Sequence, residues 1–181
     1  MAKVDSITPE ILRELLRYEP DTGRFFWRKR DISFFADERA WKIWNTKYAD
    51  KETFTTNDGD GYRMATILYV KVKAHRAAWA MVYGEWPSIF IDHINLDPSD
   101  NRISNLRLAD NSQNMMNGSL RSDNKSGYKG VYWCKEKGKW AAEGKINGKK
   151  KFLGRFDCKE EAYSAYCRHA KKHYGEFSRL S

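Results

Sequence analysis

Residues 91–107 read IDHINLDPSDNRISNLR. An acid–base pair, Asp92-His93, follows an isoleucine, and three asparagines, Asn95, Asn101 and Asn105, fall within the next twelve positions. Ile94, Leu96, Ile103 and Leu106 punctuate the polar run and mark it as a folded loop. Just upstream, Ile89-Phe-Ile91 has the character of a short strand, so the pair sits at a strand end. Just downstream, Asp110 and Gln113 have the spacing of an N-cap and its third helical position. A short helix through Asn114 and Asn117 follows from that spacing. Strand, loop and helix can bring Asp92, His93 and Asn114 together. A hard divalent cation prefers oxygen ligands, which Asp92 and Asn114 offer while leaving room for water and phosphate. A neutral imidazole at His93 can take a proton from an attacking water. Its tautomer needs an oxygen on the other side of the ring, from Asn105 or from a loop carbonyl. Metal-assisted phosphodiester hydrolysis is the chemistry such a group supports. Turn chemistry is the competing account of the asparagines, because short amides satisfy backbone groups in loops.

Outward from this stretch the periodicity changes several times. His75, Ala78, Trp79 and Val82 fall at i, i+3, i+4 and i+7, which predicts a short amphipathic helix over 74–84, stopped by Gly84 and Pro87. Residues 62–73 read as β, with a break near Tyr69, after a DGDGY turn at 58–62. TPEILRELLRY at 8–18 has Thr8 to cap, Pro9 for the first helical position and an Ile11, Leu12, Leu15, Leu16 stripe. Pro20-Asp-Thr-Gly23 is a turn, and Phe25-Phe-Trp27 reads as a strand. Residues 31–60 show no dominant period. His75, alone on an apolar stripe, reads as a core histidine before a phosphate contact. His169 and His173 have a zinc-compatible i, i+4 spacing but no third ligand nearby, which favours helix packing.

The 181 residues carry a net charge of +9, and 41% are hydrophobic and 14% aromatic, enough to build cores. Residues 1–118 balance at 17 Lys/Arg and 17 Asp/Glu, whereas 119–155 hold 11 Lys/Arg against Asp123, Glu136 and Glu143. A polyanion is the natural partner of that one basic segment, because each neutralised phosphate releases counterions. Three cysteines without a CxxC pair point away from a zinc knuckle or a disulfide framework. The first residues lack a signal-type apolar core and no stretch is long enough to cross a bilayer, so a cytoplasmic protein of a reducing compartment is expected, with no membrane partner.

Within the basic segment, WAAEGKINGKKKFLGRF places Asn147-Gly148 between two strand-like runs, a type I′ hairpin signal. That turn pairs Ile146 with Lys149, Lys145 with Lys150 and Glu143 with Phe152. Alternation puts Trp140, Ala142, Ile146 and Leu153 on one face and Glu143, Lys145, Lys150 and Phe152 on the other. Lys129–Cys134 supplies a third strand. A helix over 158–173, opened by an Asp157/Glu160 capping pair and ended by Gly175, covers the apolar face with Ala162, Ala165, Tyr166 and Ala170.

IDHINLDPSDNRISNLRLADNSQN, with GYR…AHRAAWAMVYGEWP before it, resembles the ββα-metal motif of HNH endonucleases of the phage and intron homing kind, over about residues 60–117. The resemblance implies His93 as general base, Asn105 as the loop asparagine that orients it, and Asp92 as a ligand of Mg²⁺ (or Mn²⁺). Asn114 stands where a final histidine is often found, as in an H-N-N branch, with Asn117 as the fallback ligand. YKGVYW…GKWAAEGK…KKKFLGRFDCKEEAYSAY, residues 127–177, resembles the AP2 domain. The family's sheet contacts then fall on Lys129, Glu143, Lys145, Lys150 and Phe152, with Tyr132 and Trp133 as neighbours.

The expected fold class is α+β: an HNH nuclease domain at 61–118 after an accessory region at 1–60, a linker at 119–126, and an AP2-like three-stranded antiparallel sheet on one helix at 127–181. The expected function is metal-dependent cleavage of double-stranded DNA, giving 5′-phosphate and 3′-hydroxyl ends as in the family. No small-molecule cofactor is expected, and a monomer that nicks, with a dimer as the alternative. The rivals are a non-catalytic AP2-type regulator and an RNA-binding or RNA-cutting protein.

Overall fold

The computed structural model describes residues 7–110, 113–114, 120, 123–146 and 148–177. The chain divides into two compact units, Met1–Leu108 and Ala109–Ser181. Both mix helices with small sheets, as an α+β chain requires.

The first unit begins with α1 (Pro9–Leu15), where the Thr8 hydroxyl accepts from the Ile11 N–H and Pro9 occupies the first turn. The helix stops a turn short of the sequence expectation, because Leu16 already belongs to β1 (Leu16–Glu19). β1 pairs with β2 (Arg24–Trp27), which pairs with β3 (Glu52–Thr53). Between β2 and β3 lies α2 (Glu38–Tyr48), capped by Asp37, a helix that the mixed periodicity of 31–60 conceals. It buries no residue and is held by Trp44, whose ring meets those of Trp27, Phe35 and Tyr48, and by the Arg30 guanidinium 3.9 Å above Trp44.

A second sheet orders β4 (Thr56–Asn57), β5 (Arg63–Ile67) and β6 (Val70–Lys73), all antiparallel. The break near Tyr69 is the two-residue turn of the β5–β6 hairpin. β6 runs straight into α3 (Ala74–Tyr83), which Gly84 ends in the left-handed region at φ +81. β7 (Phe90–His93) and β8 (Leu106–Ala109) form a two-stranded sheet, and the stretch that opened the sequence reading is the loop between them. One core joins α1, β2, β6 and α3: Leu12, Leu15, Leu16, Phe25, Val72, Ala77 and Ala78 are each at most 1% exposed. The first sixty residues therefore share the hydrophobic interior of the segment that follows them.

In the second unit β9 (Val131–Cys134), β10 (Lys139–Ile146) and β11 (Lys149–Phe156) form an antiparallel sheet in the order β11-β10-β9, covered by α4 (Lys159–Tyr174). Ile146 pairs with Lys149, Lys145 with Lys150 and Glu143 with Phe152, the register that the Asn-Gly turn implies; Gly148 sits at φ +76 and Asn147 lies outside the described residues. Val131, Ala142, Ala162 and Ala165 form the core between sheet and helix. The N-cap of α4 is Cys158, whose Sγ accepts from the Glu161 N–H, and not Asp157 as the capping pair suggested. The His169 ring lies where a side chain on Gly144 would be, 2.3 Å from an ideal Cβ there, and one ring nitrogen is 3.1 Å from the Lys145 carbonyl oxygen. His169 thus packs the helix onto the sheet.

Candidate active site and nucleic-acid interface

β7 places Ile91, Asp92 and His93 in the interior, at 7%, 5% and 5% exposure. The His93 ring belongs to a three-ring cluster. Its centroid is 5.3 Å from that of His75, with the planes at 81°, and 5.7 Å from that of Tyr62; Tyr62 and His75 are 5.0 Å apart. His75 enters from the first turn of α3 and Tyr62 from just before β5. Burial holds the His93 imidazole below its ordinary 6.5, although the Asn101 amide and the carboxylates of Asp92, Asp100 and Asp97 pull it upward. His75 is pushed down to about 3, by burial first and then by His93, Lys73 and Arg76, against a small opposing pull from Asp58. Both rings are therefore neutral at pH 7, the state in which an imidazole can accept a proton.

Asp92 is braced from β8. The Arg107 Nε and Nη2 both donate to its Oδ2, each at 2.8 Å, and both side chains are largely buried. A charge-assisted contact of this kind repays the desolvation of the carboxylate and fixes its rotamer. Nothing local in the sequence marks Arg107 as the partner, because the β7–β8 pairing that brings it there spans the whole loop.

The loop itself hangs on Asn105. Its carbonyl accepts from the Ile94 N–H at 2.9 Å and its Oδ1 from the Asn95 N–H at 3.0 Å. Its Nδ2 donates to the Asn95 Oδ1 and to the Asp100 carbonyl, both at 2.9 Å. Asn95 donates in turn to the Asp100 carboxylate at 2.7 Å. These hydrogen bonds of the Asn105 amide run to the loop, while Asn101 is the amide that bears on the His93 ring. Asn101 is 3% exposed; its Nδ2 donates to the Ser99 carbonyl at 2.9 Å and its carbonyl accepts from the Tyr18 hydroxyl at 2.7 Å, which leaves its Oδ1 for the His93 ring. The β1–β2 turn clamps the same loop. Gly23, at φ +71, lies so close that a Cβ would stand 2.5 Å from the Arg102 nitrogen, so only glycine fits.

Asp110 and Gln113 form the reciprocal cap expected of them, each side chain accepting from the other's backbone N–H at 2.8 Å. Asn114 is helical and exposed, its N–H donating to the Asp110 carbonyl at 2.9 Å; Asn117 lies outside the described residues. Among the described residues no group of three or more His, Cys, Asp or Glu is placed to hold a metal ion. A Mg²⁺-like ion does not need one. It retains several waters and asks for one or two carboxylates beside substrate phosphate, a set to which Asp92 and an amide oxygen are suited.

On the second unit, cross-strand partners sort the faces. Tyr132 pairs with Ala141, and Ala141 with Arg155; Glu143 pairs with Phe152 and Lys145 with Lys150. These share the face turned away from α4. Tyr132 and Phe152 are 46% and 47% exposed, Lys145 and Lys150 are exposed, and the Lys150 Nζ meets the Glu143 carboxylate at 3.0 Å. Trp133 pairs with Trp140 on the opposite face, rings edge-on at 5.2 Å. Lys129 lies in the turn before β9. Arg155 is the residue that simple alternation misses. Between Ala142↔Gly154 and Glu143↔Phe152 the register skips Leu153, a bulge that turns Arg155 to the outer face, its guanidinium 4.9 Å over the Phe152 ring.

A strand-end Asp-His pair closed by an asparagine-tied loop, followed by a sheet with a cationic and aromatic outer face, defines a protein with a nuclease-type site and a separate nucleic-acid-binding module. The family comparisons agree. Residues 72–116 match the HNH endonuclease model and residues 126–176 the AP2 domain model. Protein 3.8 of Escherichia phage T7 is 31% identical over 114 residues, which cover 62% of this chain and 93% of the relative. No solved structure matches. The chain belongs to the HNH endonuclease family and carries an AP2 domain after the nuclease domain. Such domains support a nuclease or DNA-binding role, and HNH nucleases generally use divalent metal ions. Among the described residues no helix is long and apolar enough to cross a membrane.

Proposed function

We propose that the chain is a Mg²⁺- or Mn²⁺-dependent endonuclease of double-stranded DNA that nicks one strand, with residues 61–118 as the nuclease domain and the sheet of 127–181 as its anchor on duplex. The observation that carries this reading is His93: a buried, neutral imidazole beside a braced carboxylate at the end of a strand. His93 takes the proton of the attacking water. Asp92 supplies an oxygen ligand of the cation, and Asn105 holds the loop that frames the imidazole. The divalent ion, when bound, neutralises charge on the phosphate and on the leaving oxygen. Tyr62 and His75 exclude water from one side of the His93 ring and keep it neutral. Lys129, Tyr132, Glu143, Lys145, Lys150 and Phe152 form the DNA-facing set of the sheet. Lysine contributes a point charge without a bidentate fork, which weights that face toward phosphate contacts.

Arg107 favours one second reading. By neutralising the Asp92 carboxylate it could leave a DNA-binding regulator with no cutting activity. Nicking of supercoiled plasmid separates the two. The expected result is open-circular product with Mg²⁺, none with a chelator, and a loss of about 10²–10⁴-fold in His93→Ala. The wild-type rate should fall as pH drops below 6.5 and protonates His93, since its depressed pKa lies under that value, and level off above. Equal product from both proteins, or none from either, rejects the enzyme; preferential cleavage of RNA rejects the substrate.

A further inference from the structure

The β5–β6 hairpin turns through Leu68 and Tyr69 alone, between the paired Ile67 and Val70. Both turn residues have positive φ, +43 and +68. This is the left-handed pair of positions that Asn-Gly fills without strain and that larger side chains adopt at a cost. Leu68 packs against the core beside the buried Ile67 and Val70, which pins the turn. Tyr69 does the opposite. It is 98% exposed, the most exposed of the large hydrophobic side chains described. A chain selected only for folding gains nothing from an aromatic there. Backbone strain retained at a position with no packing return points to a use outside the fold.

The surroundings indicate the partner. From Gly61 to Gly84 there is no Asp or Glu, while Arg63, Lys71, Lys73 and Arg76 are all basic; of these Lys73 is paired with Asp58 at 2.9 Å. Lys71 is exposed and pairs with Thr66 next to the turn. β6 continues without a loop into the first turn of α3, which carries His75 against His93. The tip is thus rigidly tied to the candidate site. At about 3.3 Å per residue, β5 carries it on the order of 15 Å from the Tyr62 end, or roughly four to five base steps at about 3.4 Å each.

We propose that Tyr69 is a rigid stacking finger: its ring stacks on a base, or wedges into a base step, of the duplex a few base pairs from the cleaved bond, while Lys71 meets the adjacent phosphate. The proposal rests on the DNA-nuclease reading and adds a contact that neither domain match assigns. Apolar and aromatic wedges of this kind bend duplex DNA and fix a protein's register along it.

The full chain in the His93→Ala background, bound to duplexes carrying 2-aminopurine at successive positions within about six base pairs of the cut, provides the test. Tyr69 should perturb fluorescence at one or two adjacent positions. Tyr69→Gly and Tyr69→Ala should lose that signal, and in the catalytically intact chain should raise KM five-fold or more with kcat little changed, the range expected for one lost base–aromatic contact. Tyr69→Phe and Tyr69→Trp should keep both. Tyr69→Gly, which relaxes the turn, should melt at or above the wild-type temperature, so its binding loss cannot come from unfolding. Wild-type fluorescence and KM in Tyr69→Gly overturn the finger alone. A parent chain that neither binds nor cuts duplex DNA overturns the nuclease reading and the finger with it.

Discussion

Asn105 and Asn101 show how work is divided among side chains of one type: the first ties the loop, and the second bears on the His93 ring. The Asn105 amide makes three hydrogen bonds that hold Asn95 and Asp100, and its carbonyl makes a fourth to Ile94, directly after His93. Truncating it strands partly buried groups, each costing about 1–3 kcal/mol when unpaired. Asn105→Ala should therefore lose about 2–4 kcal/mol of unfolding free energy in urea, together with most nicking activity. Unchanged stability with an altered pH–rate profile would instead mean that the amide acts on the ring directly. Asp92 and His93 were legible because they are adjacent and their types are specific. Arg107 was not, because its pairing with Asp92 depends on which strands meet across the loop. His75 was half legible: its period announced a buried position, but no period says that the neighbour will be His93.

Hairpins are where the sequence spoke most clearly and where one residue escaped it. The Asn-Gly signal implies the observed β10–β11 register, and alternation then sorts Glu143, Lys145, Lys150 and Phe152 correctly onto one face. Counting on by twos places Arg155 on the wrong side, because the extra residue, Leu153, shifts the phase. Bulges leave little trace in composition, since their cause is the fit of a strand against its neighbour. The helix α2 differs: Trp41, Trp44 and Tyr48 do recur at i, i+3 and i+7, but the stripe buries nothing and meets rings such as Trp27 and Phe35 from other elements, so the mixed residues around it hide the period. The bulge has a functional consequence. Among the described residues Arg155 is the one guanidinium on a face otherwise cationic through lysine, and arginine offers the rigid fork that reads guanine. Arg155→Ala should weaken binding to a preferred duplex by about 1–3 kcal/mol and flatten sequence preference, with no change in melting temperature because the side chain is exposed. Gel-shift competition between preferred and scrambled duplexes measures it. A uniform loss on both duplexes would assign Arg155 to phosphate.

At the scale of the whole molecule, charge and chemistry are segregated along the chain. Residues 1–118 carry equal numbers of acidic and basic side chains and hold Asp92 and His93, whereas the excess of +9 resides in 119–181. Each unit has its own buried cluster: Leu12, Leu15, Phe25 and Ala77 in the first, Val131, Ala142, Ala162 and Ala165 in the second. Affinity and cleavage should then be separable. Counterion release gives log K a slope of about −0.9 per phosphate neutralised, so the salt dependence of DNA binding follows the cations and not the active site. Produced separately, 119–181 should bind duplex DNA with nearly the full slope of the intact chain and cut nothing. Residues 1–118 should nick plasmid with Mg²⁺ only at much higher protein concentration, with a slope less than half as steep. Fluorescence anisotropy between 50 and 200 mM salt reads both slopes, a range over which each neutralised phosphate is worth about 3.5-fold. An equally steep slope in 1–118 would show that the nuclease unit grips the backbone itself, through cations such as Arg63 and Lys71. The AP2 sheet would then serve to choose the sequence and not to supply the affinity.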